Sequence, residues 1–191
     1  TLHPKIHAGI LARLELAEHQ QAMETAQIPA IDLVIVNLYP FVQTITKANC
    51  PLADAIENID IGGPTLIRAA AKNYARVSVV TDPQDYPVLL EKLESATESE
   101  LQDYRFALAR KAFTHTAHYD AAISNYLTAL DNNHQPQTFP EQLHLNFTLT
   151  ERLRYGENPH QQAAFYRDTR NVTGSLADYR QIQGKALSYN N

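Results

Sequence analysis

Hydrophobic and polar positions follow three rhythms along the chain. Within "IDLVIVNLYPF" (31–41), Leu33 to Val36 form an unbroken apolar run, closed by Asn37 and by Pro40, which has no N–H to give to a ladder. A short run apolar on both faces predicts a buried parallel strand over 31–37. "RVSVVTD" (76–82) is a second such run. Between them "PLADAIENI" (51–59) has a helical period, and another helix is predicted from Pro64 onward. The order strand, helix, turn, helix, strand is an α/β pattern, with ligands expected beyond the carboxyl ends of the strands.

The second rhythm is helical. Leu101, Leu108, Ala112, Thr116, Tyr119, Ile123, Tyr126 and Leu130 recur at three- to seven-residue steps, predicting a long helix over 98–130 with a bend near Thr114–Thr116. A short helix is predicted from Lys5 to about Ala12, behind Pro4. Residues 13–25 are polar with helical propensity, and 82–94 reads as a turn and then a helix. The third rhythm is alternation: "LHLNFTL" (143–149) predicts a strand after "DNNHQPQTFPEQ" (131–142), the best linker candidate.

Charge changes this picture little. The 191 residues carry 16 Lys+Arg against 21 Asp+Glu, a net charge of −5, so a basic nucleic-acid footprint is not expected. The single cysteine, Cys50, rules out an internal disulfide framework and fits a reducing, cytoplasmic compartment. No apolar run approaches the roughly 18–20 residues of a membrane span. The chain opens at Thr1 in a Pro-containing turn and closes in polar loop chemistry at "GKALSYNN", which reads as an interior fragment of a longer protein.

The chemistry concentrates at "DIGGPTLIRAAAKN" (60–73). Gly63 as N-cap and Pro64 at the first helical position would start a helix whose unpaired N–H groups face the Gly-Gly turn. Arg68 and Lys72 lie one turn apart, where like charges repel by about 0.2–0.5 kcal/mol. Two readings stand: a held anion, or a tight connection with Asp60 as a solvated cap and Lys72 exposed. Tyr39 in "NLYPF" either aims its hydroxyl at the crevice or packs at a loop. "LRYGENPHQ" (153–161) offers Arg154 and Tyr155 before a glycine turn, suited to phosphate or carboxylate recognition or to turn structure alone. His3 and His7 at i,i+4 lack the zincin glutamate, because Pro4 stands in its place. His115 and His118 with Asp120 read as surface or partly buried helix residues, so no metal is expected.

"TLHPKIHAGILAR", "VNLYPF", "NIDIGGPTLIRAAAKN", "KAFTHTAHYDAAISNYL", "LRYGENPHQQAAFY" and "GKALSYNN" together resemble the bifunctional AICAR transformylase/IMP cyclohydrolase family of purine biosynthesis, from Thr1 to Asn191. The resemblance implies a methylglyoxal-synthase-like cyclohydrolase domain over 1–130, without its N-terminal part. A linker over 131–149 and the start of a cytidine-deaminase-like transformylase domain over 150–191 would follow. It implies Lys72, Asp60 and Tyr39 as catalytic residues that share one crevice. Thr1, Val36, Asn37, Ile61, Gly62 and Gly63 would line the IMP or formyl-AICAR site together with Asp60. Arg154, Tyr155 and Asn190 would bind AICAR. It further implies nucleotide substrates, 10-formyltetrahydrofolate as formyl donor and a homodimer, with no nucleic-acid or membrane partner; the fragment alone is expected to be inactive. Two other readings compete: a regulatory nucleotide-binding module of the same fold without catalysis, and an interaction domain built on the 98–130 helix.

Overall fold

The computed structural model describes residues 2–170 and 174–190. The chain forms two compact units, Thr1–Gln142 and Leu143–Asn191. In the first, β1 (Leu33–Ile35) and β2 (Ser78–Val80) run parallel, with Leu33 opposite Ser78 and Ile35 opposite Val80. The ladder continues one bond each way, as Ser78 N–H donates to the Asp32 carbonyl and Val36 N–H to the Val80 carbonyl. Parallel strands need a long crossover. Here it consists of α3 (Phe41–Ile45), α4 (Leu52–Glu57) and α5 (Gly62–Lys72).

Helix α5 lies at the centre of this unit. Ile67, Ala69, Ala70 and Ala71 are buried, and they pack on α7 (Glu98–Thr128) where it presents Leu108, Ala109 and Ala112. Alanine on both helices removes side-chain bulk from the contact and lets the two backbones approach. The strands contribute Val34, Val77, Val79 and Val80 to the same core. A second, smaller cluster forms where Phe41 meets Tyr119 and Tyr126 edge-on, at ring-centroid distances of 6.3 and 5.8 Å. Aromatic pairs prefer such geometry because ring edges are positive and faces negative.

Helix α7 starts with a capping box. The Thr97 hydroxyl accepts the Glu100 N–H, and the Glu100 carboxylate accepts the Thr97 N–H. The helix runs unbroken through the expected bend at Thr114–Thr116. Helix α1 (Pro4–Leu11) is capped at its far end by distant residues. The Asn73 amide donates to the carbonyls of Ile10 and Ala12, and Arg76 Nη2 donates to those of Gly9 and Ile10. Orphan carbonyls at a helix C-terminus need such donors. Gly9 is required beneath this contact, since a Cβ there would stand 2.6 Å from the Pro29 carbonyl oxygen. Helices α2 (Ala17–Ala26) and α6 (Tyr86–Ser95) complete the unit.

Three expectations are corrected. Strand β1 buries only Val34; Leu33 and Ile35 are 37% and 47% exposed. Among the described residues it pairs on one edge only and is covered on one face, so the pleat sends alternate side chains outward. Helix α5 begins at Gly62 after Ile61, which places Pro64 third rather than first. Proline is tolerated there because first-turn N–H groups lack helical partners in any case. The segment after α7 is tied to the helix end: Gln137 and Glu141 N–H groups donate to the Ala129 and Thr128 carbonyls, and Asp131 Oδ1 accepts from Asn133 and Gln135. The strand expected over 143–149 instead runs Phe147–Arg152, as β3. Its antiparallel partner β4 (Ala164–Asp168), from Phe147 opposite Asp168 to Arg152 opposite Ala164, sets its limits, with a bulge between Leu149 and Glu151.

Ile67 is fully buried at the α5–α7 contact, so Ile67→Ala should cost about 2–5 kcal/mol. Leu90 on α6 is exposed, and Leu90→Ala should stay within about 0.5 kcal/mol. Urea unfolding of the two variants measures the contrast.

Candidate functional site

Beyond the carboxyl end of β1 the chain turns through Asn37, Leu38 and Tyr39. This turn is fixed from below by Asp60. One carboxylate oxygen accepts the Gly63 N–H at 2.7 Å and the other accepts the Tyr39 N–H at 3.3 Å. The Asp60 N–H in turn donates to the Tyr119 hydroxyl at 2.8 Å, and that hydroxyl donates to the Asn58 carbonyl at 3.1 Å. One residue thus ties the strand end, the start of α5 and the middle of α7. Gly63 is required for this approach: a Cβ there would lie 2.6 Å from Asp60 Oδ2 and 2.7 Å from Leu38 Cδ2. Asp60 is therefore a cap, as one reading of the sequence allowed, but a half-buried cap that grips two segments.

A cavity of about 260 Å³ opens above this clamp, lined by Asn37, Tyr39, Thr81, His115 and Tyr119 among others. Asn37 and Tyr39 are both in its wall, and Val36 is held by its ladder bond beneath. Asp60, Ile61, Gly62 and Gly63 are not in the cavity wall; Asp60 acts on it through the Tyr39 N–H, and Ile61 is 64% exposed. Thr1 lies outside the described residues.

Lys72 does not join them. It ends α5, eleven residues that span about 16 Å at 1.5 Å per residue, with Asp60 before the other end. The expectation that Lys72, Asp60 and Tyr39 share a crevice is therefore corrected: a rigid helix holds positions 60 and 72 apart. Lys72 lines a separate groove between α5 and α7 with Tyr74, Phe106, Arg110 and Phe113. Arg68, whose direction the sequence left open, lies with its guanidinium 5.5 Å from the Phe113 ring centroid, a cation–π contact.

Of the polar wall residues, Gln43, Thr81, His115 and Tyr119 were not among the site residues read from the sequence. The sequence reads His115 as a surface or partly buried helix residue, and the structure has it partly buried. It lies half-buried on the inward side of α7, and its Nε2 is buried without a hydrogen-bond partner. Burial, then repulsion from His118, pushes its pKa below the usual histidine value; Asp82 opposes this and Lys111 reinforces it. Beside it Lys111 bridges Asp82 and Asp85 at 2.8 Å each. Burial pulls the Lys111 pKa down, but its hydrogen bonds to both carboxylates outweigh this and leave it raised. The four-residue step from His115 to Tyr119, on the face of Leu108 and Ala112, was the available signal.

His3 caps α1, its Nδ1 accepting the Lys5 N–H at 3.2 Å. Among the described residues, no group of three or more His, Cys, Asp or Glu is placed to hold a metal, and no helix is long and apolar enough to cross a membrane.

In the second unit the structure brings Arg154, Tyr155 and Asn190 together. Arg154 N–H donates to the Leu187 carbonyl and Arg154 Nε to that of Ala186, and the guanidinium lies 5.3 Å from the Tyr155 ring centroid. Tyr189 N–H donates to the Tyr155 carbonyl, and the Asn190 amide donates to that of Glu157. Gly156 allows the turn to close, since a Cβ there would sit 2.7 Å from Gln161 Cβ. The exposed Arg154 guanidinium is thus oriented by two neighbours, leaving its outer edge for a planar anion.

Residues 3–65, which include β1 and the turn beyond it, match an MGS-like domain. Residues 70–191 match the AICARFT/IMPCHase bienzyme family, and the chain belongs to it. Among solved structures, the crystal structure of ForH is similar, with 37% identity and a TM-score of 0.56. The match covers 64% of this chain and 63% of ForH.

Two outcomes follow. Gly63→Ala should displace Asp60 and Leu38 and destabilise the first unit by about 1–3 kcal/mol, read by thermal unfolding. His115 binds its proton more weakly folded than unfolded. Its contribution is therefore intact above the unfolded value of about 6.5 and is lost as pH falls through the lower folded value. Melting temperatures between pH 7.5 and 5 should fall, and fall less in His115→Leu.

Proposed function

We propose that the chain serves the last two steps of IMP synthesis, on its own nucleotide substrates: formyl transfer from 10-formyltetrahydrofolate to AICAR, and dehydrative ring closure of formyl-AICAR. The observation that carries this reading is the strand-end cavity clamped by Asp60, in a chain of this family. Ring closure is intramolecular, so holding the carboxamide against the formyl group supplies much of the rate. The carboxamide nitrogen attacks the formyl carbon and gives up a proton. The formyl oxygen gains charge, is protonated, and leaves as water.

Asp60 is the proposed base and Tyr39 the hydroxyl donor to the formyl oxygen. Each Asp60 oxygen accepts one backbone N–H, which leaves a second lone pair on each. The N–H groups at Ile61 and Gly62 would serve the anionic end of the ligand, as helix N-termini do, while that of Gly63 stays on Asp60. Lys72 remains in the proposal only as a cation of the α5–α7 groove, acting apart from Asp60. Arg154, Tyr155 and Asn190 are the proposed AICAR contacts of formyl transfer. The protein is proposed to work as a cytoplasmic homodimer.

One observation favours a second reading, a regulatory module that binds the nucleotide without turning it over: Lys72 stands apart from Asp60 and Tyr39.

In the protein at its natural length, Asp60→Asn should lower cyclisation about 10²–10⁴-fold, the range for a lost acid–base group, and spare formyl transfer. Arg154→Ala should do the reverse. Loss of the same half-reaction in both variants would overturn the two-site reading. IMP binding without any cyclisation by the unaltered protein would favour the regulatory module.

A further inference from the structure

Residues 58–61 join α4 to α5 with no helix or strand of their own, so their backbone groups must find partners elsewhere. One side chain serves two of them. The Asp60 N–H donates to the Tyr119 hydroxyl at 2.8 Å, and that hydroxyl donates to the Asn58 carbonyl at 3.1 Å. A single oxygen thus braces the backbone on either side of Ile59, from a residue 59 and 61 places further along the chain. Tyr119 is itself held still. It is 8% exposed, its ring meets Phe41 edge-on, and it belongs to α7, a 31-residue helix with its own capping box.

We propose that the Tyr119 hydroxyl is the positioning group for Asp60 in ring closure. It fixes the main chain of the base, while the Tyr39 and Gly63 N–H groups fix the carboxylate. The inference rests on the function proposed above, in which Asp60 is the base. A general base works only within about 2.6–3.2 Å of the proton it takes. Without the hydroxyl the carboxylate keeps its two bonds, but the backbone that carries it is free to move with an irregular segment. The hydroxyl does not act on the ligand directly. Its one proton is already on the Asn58 carbonyl. Burial foremost holds its pKa above the usual tyrosine value, and the Asp60 and Asp120 charges add to this, against the bond from the Asp60 N–H. The proton therefore stays in place at neutral pH, and the effect passes through Asp60. Packing does not account for the hydroxyl either, since a phenylalanine ring would fill the same contact with Phe41.

The test is a double-mutant cycle in the natural-length protein: Tyr119→Phe, Asp60→Asn and both together, assayed below the melting temperature of all forms. Tyr119→Phe should lower cyclisation kcat about 10–10²-fold, in the range that a misplacement of about 1 Å costs. KM for formyl-AICAR, IMP affinity and formyl transfer should not change. In the Asp60→Asn background the same substitution should cost cyclisation nothing further, because the base that it positions is gone. The fall in melting temperature should be alike in both backgrounds, since the N–H at position 60 remains. Hydrogen exchange read by mass spectrometry gives a second measurement. The peptide spanning 58–61 should exchange slowly in the unaltered protein, and faster in Tyr119→Phe with β2 unaffected. An unchanged kcat, a change confined to KM, an equal fold-loss in both backgrounds, or fast exchange at 58–61 in the unaltered protein would overturn the inference and leave the function standing. Full cyclisation by Asp60→Asn alone would remove Asp60 as the base, and the inference with it.

Discussion

Two backbone N–H groups, those of Tyr39 and Gly63, meet on the carboxylate of Asp60, and the first unit is organised around that meeting. The N–H of Tyr39 has no strand to pair with once β1 has ended, and that of Gly63 has no carbonyl before it in the helix. Each would be an unsatisfied donor, and one acidic side chain answers both. Because the same residue's own N–H is taken by Tyr119, α7 is drawn to the spot as well. The cavity wall is made of what these bonds bring together: the loop after β1, the residue after β2, and one face of α7.

This arrangement separates two kinds of role within a single motif. In "DIGGPTLIRAAAKN" the first four residues build a turn, the middle residues pack as a core helix, and the last cation belongs to another groove. Small residues serve both parts for different reasons. Gly63 is small so that Asp60 can reach over it; Ala69, Ala70 and Ala71 are small so that α7 can come close. A ligand at the strand end and a ligand in the α5–α7 groove would touch opposite ends of one rigid element.

Much of this was legible in the sequence where a local rule carried it. The helices announced themselves through their period, and β2 through an apolar run that is indeed buried throughout. Arg154 and Tyr155 were legible because a glycine turn next to them limits where they can go. What failed did so for lack of a partner to read. The run at Leu33–Val36 says that a strand is apolar but not which of its faces is covered. The alternation at 143–149 could not reveal that pairing with β4 would move the strand toward Arg152. Lys72 was drawn to Asp60 by nearness in a motif, which a straight helix converts into distance. His115 was missed for the opposite reason: it lies far from Tyr39 in sequence, and only the packing of α7 across the strand ends brings it near.

The capping of α1 sets chain order against assembly order. The donors that close its C-terminal carbonyls, Asn73 and Arg76, come 61 to 67 residues later. During synthesis α1 leaves the ribosome before these donors, yet an eight-residue helix is too short to hold its shape alone. It must wait as a fluctuating segment until the turn between α5 and β2 has emerged. Helix α7, by contrast, carries its own capping box and can begin folding as soon as its first turns are made. Helix α1 thus settles later than its place in the chain suggests, held by a turn translated long after it.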